Sequence, residues 1–390
     1  MQSAENSEFT FATVPNLLCQ SGACAQLGAT ITAHFPRVHR ILVVTDAGFL
    51  ATGLVVPVVA SLEQSGLSVQ IFSQVVADPP ESIVLQAAAD ARKMRTELVI
   101  GLGGGSSMDV AKLIAVLAAS DQPLASMYGI GNVIGPRLPL VQIPTTAGTG
   151  SEVTPISIVT TGATTKMGVV SPLLYADMAI LDAQLTVGLP SHVTAATGID
   201  AMVHAIEAYT TKHKKNPLSD ALARQALTLI SANLRTACAD GANLPARQAM
   251  LLGAMLAGQA FANAPCAAVH ALAYPIGGVF HVPHGLSNSL VLPHVLRFNA
   301  PNAAMQYAEL AEIIAPDVTG STQARADGMI AAMERLARDV GIATRLRDVG
   351  IAEGDLDRLA DDAMLQTRLL GNNPRDVERS DARAIYAAEL

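Results

Sequence analysis

The sequence predicts an α/β domain with a parallel sheet, followed by an all-helical domain. Short β-branched runs alternate with helical patterns through the first half of the chain. After the Leu189-Pro190-Ser191 segment the sequence is rich in Ala and Leu with helical periodicity, and clear strand patterns end. The 390 residues, 50% of them hydrophobic and 15% charged, suffice for two domains that each bury a core. We therefore predict an α/β domain at 1–189 and a helical domain at 190–390.

Four strands of the first half follow one another with helices between them. They are predicted at 41–46, 67–72, 96–103 and 138–144. The intervening helices end near residue 66, span 82–94 behind Pro79, Pro80 and Glu81, and span 107–120. This β-α-β rhythm is typical of a parallel, doubly wound sheet. Beyond it, the runs 156–161 and 166–171, separated by residues 162–165, predict a β-hairpin beside the sheet.

The second half reads as a series of helices that prolines interrupt. The prolines expected at helix boundaries are Pro217, Pro245, Pro265, Pro283 and Pro293.

Composition limits the compartment and the partners. The formal net charge of −8 argues against a nucleic-acid partner. Four scattered cysteines indicate a reducing compartment and argue against a zinc-thiolate site or a disulfide framework. The N-terminus shows no secretory signal, and no apolar stretch is long enough to cross a bilayer. We expect a cytoplasmic protein without a membrane partner.

Residues 101–109, GLGGGSSMD, resemble a loop that cradles phosphate. They follow an apolar strand and precede a helix, and glycines at 101 and 103–105 would let the backbone approach a pyrophosphate. The helix N-terminus offers unpaired N–H groups and the positive end of the helix dipole. The loop is neither a GxGxxG fingerprint nor a P-loop, and a tight strand-to-helix turn is the alternative interpretation.

Asp46 ends the first clear strand. A carboxylate there can accept hydrogen bonds from a ribose hydroxyl and would repel a 2′-phosphate. On the sequence alone, a role as the N-cap of the next helix is equally consistent with this position.

Four residues form a candidate metal site. Asp200 and His204 lie four residues apart, so on a helix they share a face. His270 and His284 lie fourteen apart, which one continuous helix would separate by about 21 Å. The chain must therefore bend between them.

The sequence suggests where this bend lies. Pro275, Gly277 and Gly278 would break the helix, and Pro283 with His284 would begin the next one. His281 is a competing ligand, three residues before His284.

Three imidazoles and one carboxylate suit Fe(II), Zn(II), Co(II) or Ni(II) better than Mg(II) or Ca(II). Any single histidine is more often a hydrogen-bonded structural residue, so the prediction rests on the four positions together. A metal site and a nucleotide site in one chain indicate metal-assisted redox chemistry.

Several segments resemble the iron-containing (group III) alcohol dehydrogenase family. They are GGGSSMDVAK, PTTAGTGSEVTP, GIDAMVHAIEAYTT and HALAYPIGG followed by HVPHGLSNSLVLPHV, in the family's order over nearly the whole chain. The resemblance implies a Rossmann-like NAD(P) domain and a helical domain in a dehydroquinate synthase-like architecture. It also implies an active site in the cleft between the domains and a homo-oligomer.

The resemblance also implies roles for individual residues. The metal, Fe(II) or alternatively Zn(II), would be bound by Asp200, His204, His270 and His284. The NAD cofactor would be bound by Asp46, Gly104, Gly105, Ser106, Asp109, Thr145, Thr146, Thr149, Ser151 and Lys166.

One departure from the family pattern concerns the substrate. Many members have a second histidine four residues after the first ligand of the HALAH segment, and here that position is Tyr274. A phenol can donate and accept, but its unperturbed pKa is about 10, against about 6.5 for imidazole. Tyr274, together with His284, is our candidate catalytic residue, as a relay or an orienting group.

The predicted function is reversible, metal-dependent hydride transfer between a small alcohol or aldehyde and nicotinamide. Three alternatives stay open. The first is a metal-independent reductase of the maleylacetate type, against which the complete ligand set argues. The second is a dehydroquinate synthase-like lyase, which needs basic residues that are scarce around the ligand segments. The third is a metal- or nucleotide-binding module without turnover.

Overall fold

The computed structural model describes residues 8–162 and 165–390. They divide into two compact units. The sheet unit comprises Thr13–Thr146 and Gly150–Val187. The helical unit comprises Gly188–Leu390, with Ala147–Thr149 and the described residues up to Ala12.

The described residues of the sheet unit form nine strands in two sheets. They are β1 (Leu17–Cys19), β2 (Arg40–Asp46), β3 (Ser68–Val75), β4 (Leu98–Gly103), β5 (Gly129–Ile130), β6 (Leu140–Pro144), β7 (Ile156–Thr161), β8 (Thr165–Val170) and β9 (Met178–Leu181). The larger sheet has the order β1-β9-β6-β4-β2-β3, and all its pairings are parallel. The predicted parallel, doubly wound sheet is thereby confirmed.

The second sheet has the order β5-β8-β7. Its antiparallel β7–β8 pair confirms the predicted hairpin, with Ile156 opposite Val170 and Thr161 opposite Thr165. Within the predicted connection, residues 163 and 164 lie outside the described residues.

Five α-helices lie in the part of the sheet unit that the structure describes. They are α1 (Leu27–His34), α2 (Ala47–Ala51), α3 (Val55–Gln64), α4 (Glu81–Lys93) and α5 (Gly105–Ala119). All six residues of β4 are buried, as expected for a central strand of a parallel sheet that is covered on both faces. Most of α5 is buried as well. The loop between β4 and α5 is therefore held by two elements of the core.

Nine α-helices make up most of the helical unit as far as its residues are described. They are α6 (Ser191–Thr210), α7 (Pro217–Ala239), α8 (Leu244–Asn263), α9 (Ala268–Phe280), α10 (His284–Ile314), α11 (Thr322–Asp339), α12 (Leu356–Met364), α13 (Thr367–Leu370) and α14 (Arg379–Ala388). Among the described residues no strand follows Leu181, which confirms the all-α second half. No single helix in the described part of the chain is long and apolar enough to cross a membrane, although α8 and α9, bent by 107°, pass that test of length and composition as a pair.

Most of the prolines lie where they were predicted. Pro217 and Pro245 fall in the first turns of α7 and α8, and Pro283 is the N-cap of α10. Pro265 lies between α8 and α9. Pro293 is a wrong prediction, because it lies inside α10, which continues to Ile314.

The bend between His270 and His284 exists, but the break at Pro275, Gly277 and Gly278 is wrong. These residues continue α9 to Phe280, and Pro275 lies inside that helix. Most of α9 is buried, and this packing outweighs the low helix propensity of proline and glycine. The chain turns instead at His281, which adopts φ = 56° and caps the helix in the left-handed conformation.

Candidate functional site

Four predicted ligands come from three helices of the helical unit. Asp200 and His204 lie on one face of α6, His270 lies on α9, and His284 is the first residue of α10. The Nε2 atoms of His204 and His270 are 3.0 Å apart. Asp200 Oδ1 lies 3.8 Å from Nε2 of His270 and 3.7 Å from Nε2 of His284. Asp200, His204 and His270 are buried, and His284 is partly exposed.

The candidate donors form two groups that share His270. His204 and Cys266 lie with it in one group, and Asp200 and His284 lie with it in the other. Donors about 2.1 Å from a tetrahedral ion lie roughly 3.4 Å from one another. The three separations given above, 3.0 to 3.8 Å, are close to this value. The donor set, imidazole nitrogen with one carboxylate, is the set expected for Fe(II) or Zn(II).

Gly285 lets two helices approach at this centre. A Cβ atom at residue 285 would collide with the carbonyl oxygen of Ala196 and would lie 3.3 Å from Cβ of Asp200. A side chain there would push the start of α10 away from α6. The absence of one keeps His284 beside Asp200.

Glu207 fixes the orientation of His270. One carboxylate oxygen lies 2.6 Å from Nδ1 of His270, and the other accepts the backbone N–H of Val269 at 2.7 Å. A proton on Nδ1 leaves Nε2, the nitrogen that faces His204 and Asp200, free to bind a metal. No role was predicted for Glu207, although its spacing of three from His204 on one helix was a usable signal.

Asn288 was missed by the sequence analysis. It is fully buried, and its Nδ2 donates to Asp200 Oδ1 at 2.6 Å. The same nitrogen lies 3.2 Å from Nε2 of His270 and 3.3 Å from Nε2 of His284. The available signal was its position four residues after His284, on the same helix face.

Cys266 also lies at this centre. Ligand atoms of His204, Cys266 and His270 lie within 4.8 Å of one another. Its isolated position in the sequence gave no reason to place it here. Burial raises the pKa of its thiol.

The pKa values of the proposed ligands are shifted in different directions because these groups are buried close to one another. Burial lowers the pKa of His204 to about 4, so this imidazole is neutral at pH 7. Burial also opposes charge on His270, but Cys266 and Glu207 outweigh it and raise the pKa. For Asp200, burial favours the neutral carboxyl, but the three histidines and Asn288 lower the pKa.

Two aromatic side chains flank the ligands. Phe261 stacks on His204 with the ring centroids 4.3 Å apart. Tyr274 is partly exposed, and its ring centroid lies 5.8 Å from that of His284. Desolvation raises the pKa of the Tyr274 phenol above its usual value. The competing ligand His281 belongs to neither metal-binding cluster found among the described residues.

In the sheet unit, the glycine-rich loop has two kinds of glycine. Side chains at 101 and 103 would collide with Gln142 and Ser107, so these glycines are required by packing. Packing thus accounts for the glycines at 101 and 103, and a backbone approach to pyrophosphate stays a prediction for all four positions. A Cβ at Gly104 would meet only Thr146, at the ordinary distance of 3.6 Å. Gly104 precedes the first turn of α5, where backbone N–H groups begin unpaired.

Four further predicted residues lie close to this loop. Ser106 is in the first turn of α5. Thr145 donates its backbone N–H to Gly103, and Thr146 faces Gly104. Asp46 Oδ1 caps α2 by accepting from Phe49 at 2.8 Å, which confirms the N-cap interpretation. A Cβ built at Gly103 would lie 3.4 Å from Oδ2 of Asp46, so that oxygen faces the loop.

Asp109 and Ser151 belong to a buried network around Lys112. The Asp109 carboxylate accepts from Ser151 Oγ at 2.6 Å and from the backbone of Ile158 at 2.9 Å. Lys112 Nζ, which is fully buried, donates to Ser151 Oγ at 2.7 Å and to the carbonyl oxygen of Ile156 at 2.6 Å. This network joins α5 to β7. The sequence analysis did not identify Lys112.

The last two predicted cofactor residues lie elsewhere. Lys166, on β8, forms an ion pair with Asp78 at 2.7 Å. Thr149 belongs to the Ala147–Thr149 segment of the helical unit. There Gly148 packs so closely on Thr197 that a Cβ would lie 2.7 Å from its side chain.

Known proteins are similar to this chain in sequence and in fold. The chain is 44% identical over 365 residues to long-chain-alcohol dehydrogenase 1 of Geobacillus thermodenitrificans, covering 90% of this chain and 91% of that protein. It is 39% identical to 1,3-propanediol dehydrogenase of Klebsiella pneumoniae, with 89% and 90% covered.

A solved structure of 1,3-propanediol oxidoreductase matches with a TM-score of 0.94 at 36% identity, covering 98% of this chain and all of that chain. A sulfoacetaldehyde reductase from Bifidobacterium kashiwanohense, solved with NAD+, matches with a TM-score of 0.87 at 28% identity and 98% coverage of both chains.

Family profiles cover both halves of the sequence. The profile described as iron-containing alcohol dehydrogenase matches residues 15–183. The profile for the C-terminal region of the Fe-containing alcohol dehydrogenase family matches residues 194–390. The chain is therefore an oxidoreductase and belongs to the iron-containing alcohol dehydrogenase family.

Proposed function

We propose that this alcohol dehydrogenase interconverts small uncharged primary alcohols and their aldehydes, with NAD as hydride carrier and Fe(II) as the metal. The observation that carries the proposal is the grouping of Asp200, His204 and His284 around His270. His204 lies 3.0 Å from His270, and Asp200 lies 3.7 to 3.8 Å from His284 and His270. A relative solved with NAD+ and the family's description as iron-containing support the two cofactors.

The helical unit would hold the metal through these four residues. When bound, the two cofactors supply Lewis acidity toward an alcohol oxygen and acceptance of a hydride. Glu207 keeps Nδ1 of His270 protonated, so that Nε2 stays available as a donor. The low pKa of His204, about 4, keeps its imidazole uncharged at neutral pH.

The sheet unit would hold the nucleotide. Backbone N–H groups at Gly104, Gly105 and Ser106 would bind the pyrophosphate, because they open α5. Asp46 would accept from a ribose hydroxyl through Oδ2, since Oδ1 is used by the cap of α2.

The other residues predicted to bind the cofactor would have different roles. Asp109 and Ser151 would position α5 through the Lys112 network. Contacts of Thr145, Thr146, Thr149 and Lys166 with the cofactor stay predictions.

Tyr274 would orient the substrate oxygen by donating a hydrogen bond. Its raised pKa keeps the phenol protonated at neutral pH, which favours the orienting role over proton abstraction. Its ring packs near His284, so its hydroxyl belongs to the surroundings of the metal ligands.

The substrate class follows from the side chains around the ligands. Phe261 and Tyr274 are apolar or neutral, and Lys and Arg are scarce in the ligand segments. The relatives named for long-chain alcohols and for 1,3-propanediol act on uncharged substrates by name. Homo-oligomerisation and a cytoplasmic location stay predictions from the sequence.

The test is NADH oxidation with straight-chain aldehydes of increasing length. The protein is stripped of metal and reloaded anaerobically with Fe(II) or Zn(II). We expect activity only after reloading. Equal activity without metal would instead indicate a metal-independent reductase, and no activity with any aldehyde would favour the lyase-like or binding-only alternatives.

Two matched variants test whether turnover depends on the proposed metal ligands. His284→Asn removes a proposed ligand, and we expect loss of metal-dependent turnover. His281→Asn makes the same change three residues earlier, at a left-handed position that asparagine tolerates. This control should keep both its metal content and its turnover.

A further inference from the structure

The side-chain amide of Asn288 lies among the proposed metal ligands. Its Nδ2 is 2.6 Å from Oδ1 of Asp200, 3.2 Å from Nε2 of His270 and 3.3 Å from Nε2 of His284. The amide nitrogen thus donates to Asp200 Oδ1 and lies beside two imidazole nitrogens, and all three of these atoms would turn toward a cation. The inference that follows rests on the proposed metal-dependent function.

The other half of the amide has no partner. Asn288 is fully buried, and within the described residues its Oδ1 accepts no hydrogen bond. An unpaired buried carbonyl oxygen costs about 1–3 kcal/mol. In this orientation the amide donates to Asp200, while its own oxygen is left without a partner among the described residues.

A cation reverses this preference. An amide N–H donor is repelled by a cation held by the same three atoms, whereas a carbonyl oxygen is attracted to it. Rotation of the amide about Cβ–Cγ exchanges its nitrogen and oxygen without moving α10. Such a rotation would give Oδ1 the partner it lacks.

The added oxygen donor would affect which metal is retained. Sites of nitrogen and oxygen ligands generally bind Zn(II) more tightly than Fe(II), so selection of Fe(II) requires a suitable geometry. Zn(II) prefers four ligands in a tetrahedron, which Asp200 and three histidines already supply. A fifth, neutral oxygen favours an ion that accepts higher coordination. Two histidines and a carboxylate, as in Asp200, His270 and His284, are typical of non-haem Fe(II) sites.

We propose that Asn288 determines the metal specificity of this centre: its Nδ2 holds the ligands together before metal binds, and its Oδ1 then turns to the metal as an additional donor. The role belongs to Asn288 itself and adds to the four ligands predicted from the sequence.

The experiment measures the Kd of Fe(II) and of Zn(II) for the full-length, metal-stripped chain by anaerobic competition with a chromophoric chelator. Asn288→Leu replaces the amide by an apolar group of similar size. We expect the Kd for Fe(II) to rise about tenfold or more and the Kd for Zn(II) to change less than about threefold. With Co(II) as probe, the visible spectrum should change from a weak pattern of five or more ligands to the intense pattern of four.

Two other variants complete the test. Asn288→Asp keeps an oxygen at this position, so the ratio of the Fe(II) and Zn(II) affinities should stay at or above that of the unaltered chain. It also provides a test if Asn288→Leu fails to fold. Asn299→Leu is the matched control, since Asn299 is a buried asparagine on the same helix whose amide pairs with Asn373. It should leave both affinities unchanged.

Three results would overturn the proposal. Equal weakening of Fe(II) and Zn(II) by Asn288→Leu would show that Asn288 only positions the ligands. Tighter binding of both ions would show that the amide only competes with metal. Failure of the unaltered chain to bind either ion would remove the proposed metal centre itself, and with it this role for Asn288.

Discussion

At the residue scale, Glu207 illustrates how a side chain that does not contact the metal can govern the site. Its two carboxylate oxygens are both used, one by Nδ1 of His270 and one by the backbone N–H of Val269. The imidazole is therefore fixed in both rotation and tautomer. A glutamine offers only one acceptor oxygen and so cannot satisfy both donors.

Glu207→Gln should weaken metal binding about 10-fold to 100-fold, which is the usual cost of losing such a hydrogen bond to a ligand. Competition titration at constant temperature measures this change in Zn(II) affinity directly. Glu309→Gln is the matched control, because Glu309 accepts from the Tyr209 hydroxyl in the same unit. Equal Zn(II) affinities of the Glu207 variant and the unaltered chain would contradict the orienting role.

Tyr274 is our candidate for orienting the substrate oxygen. Removal of one orienting hydrogen bond should lower kcat/KM roughly tenfold, since such a bond contributes about 1–1.5 kcal/mol. For Tyr274→Phe we therefore expect slower turnover with unchanged metal content, measured by steady-state kinetics and elemental analysis. Tyr128→Phe removes a hydroxyl that binds Glu81 in the sheet unit and should change neither quantity. Unchanged kinetics of Tyr274→Phe would exclude Tyr274 from the mechanism.

At the scale of elements, the sequence predicts strands and helices that are long enough to show a periodic pattern. It does not predict features that depend on tertiary contacts. The buried run of β4 and the helix of α5 are long enough to show their periods, whereas β1 and β9 have three and four residues and show none. The helix through Pro275 was missed because tertiary packing of α9 outweighs the local preference of proline.

The candidate site shows the same division. The spacing of four between Asp200 and His204 is a property of one helix and can be read from the sequence. Asn288, Cys266 and Lys112 acquire their roles from partners that lie 18 to 88 residues away or on other elements, which one sequence does not reveal.

The network around Lys112 also buries Glu152, which follows Ser151. Desolvation raises the pKa of Glu152 to about 7, although Lys112 partly offsets this effect. The ordinary value of 4.5 applies to the unfolded chain. The folded protein therefore binds this proton more tightly than the unfolded chain, and stability falls as the pH rises from about 4.5 to about 7.

Glu152→Gln should remove this pH dependence. We compare the free energies of unfolding of the variant and of the unaltered chain. As the pH rises from about 4.5 to about 7, their difference should shift in the variant's favour by roughly 3 kcal/mol. Urea unfolding at a series of pH values measures the difference. Glu63→Gln changes an exposed glutamate on α3 and should give a curve parallel to that of the unaltered chain. A parallel curve for Glu152→Gln as well would show that Glu152 titrates normally in the folded protein.

At the scale of the whole molecule, the two proposed cofactors are assigned to different compact units. The glycine loop and its supporting network belong to the sheet unit, and the four proposed metal ligands belong to the helical unit. A ligand that binds only the folded state stabilises it by RT ln(1 + [L]/Kd), which is about 2.7 kcal/mol at 100 times Kd. This stabilisation should act first on the elements that contact the ligand.

Hydrogen exchange should therefore separate the two binding events. Some amides in α6, α9 and the start of α10 should exchange only through local unfolding that releases the ion. Zn(II) at 100 times its Kd should slow the exchange of these amides about 100-fold. NADH should instead protect the β4–α5 connection and the end of β6. In His284→Asn the effect of Zn(II) should disappear while that of NADH persists, because only the helical unit has lost a ligand. Unchanged exchange in α6, α9 and α10 at saturating Zn(II) would contradict the assignment of the metal to these helices, whatever the activity of the enzyme.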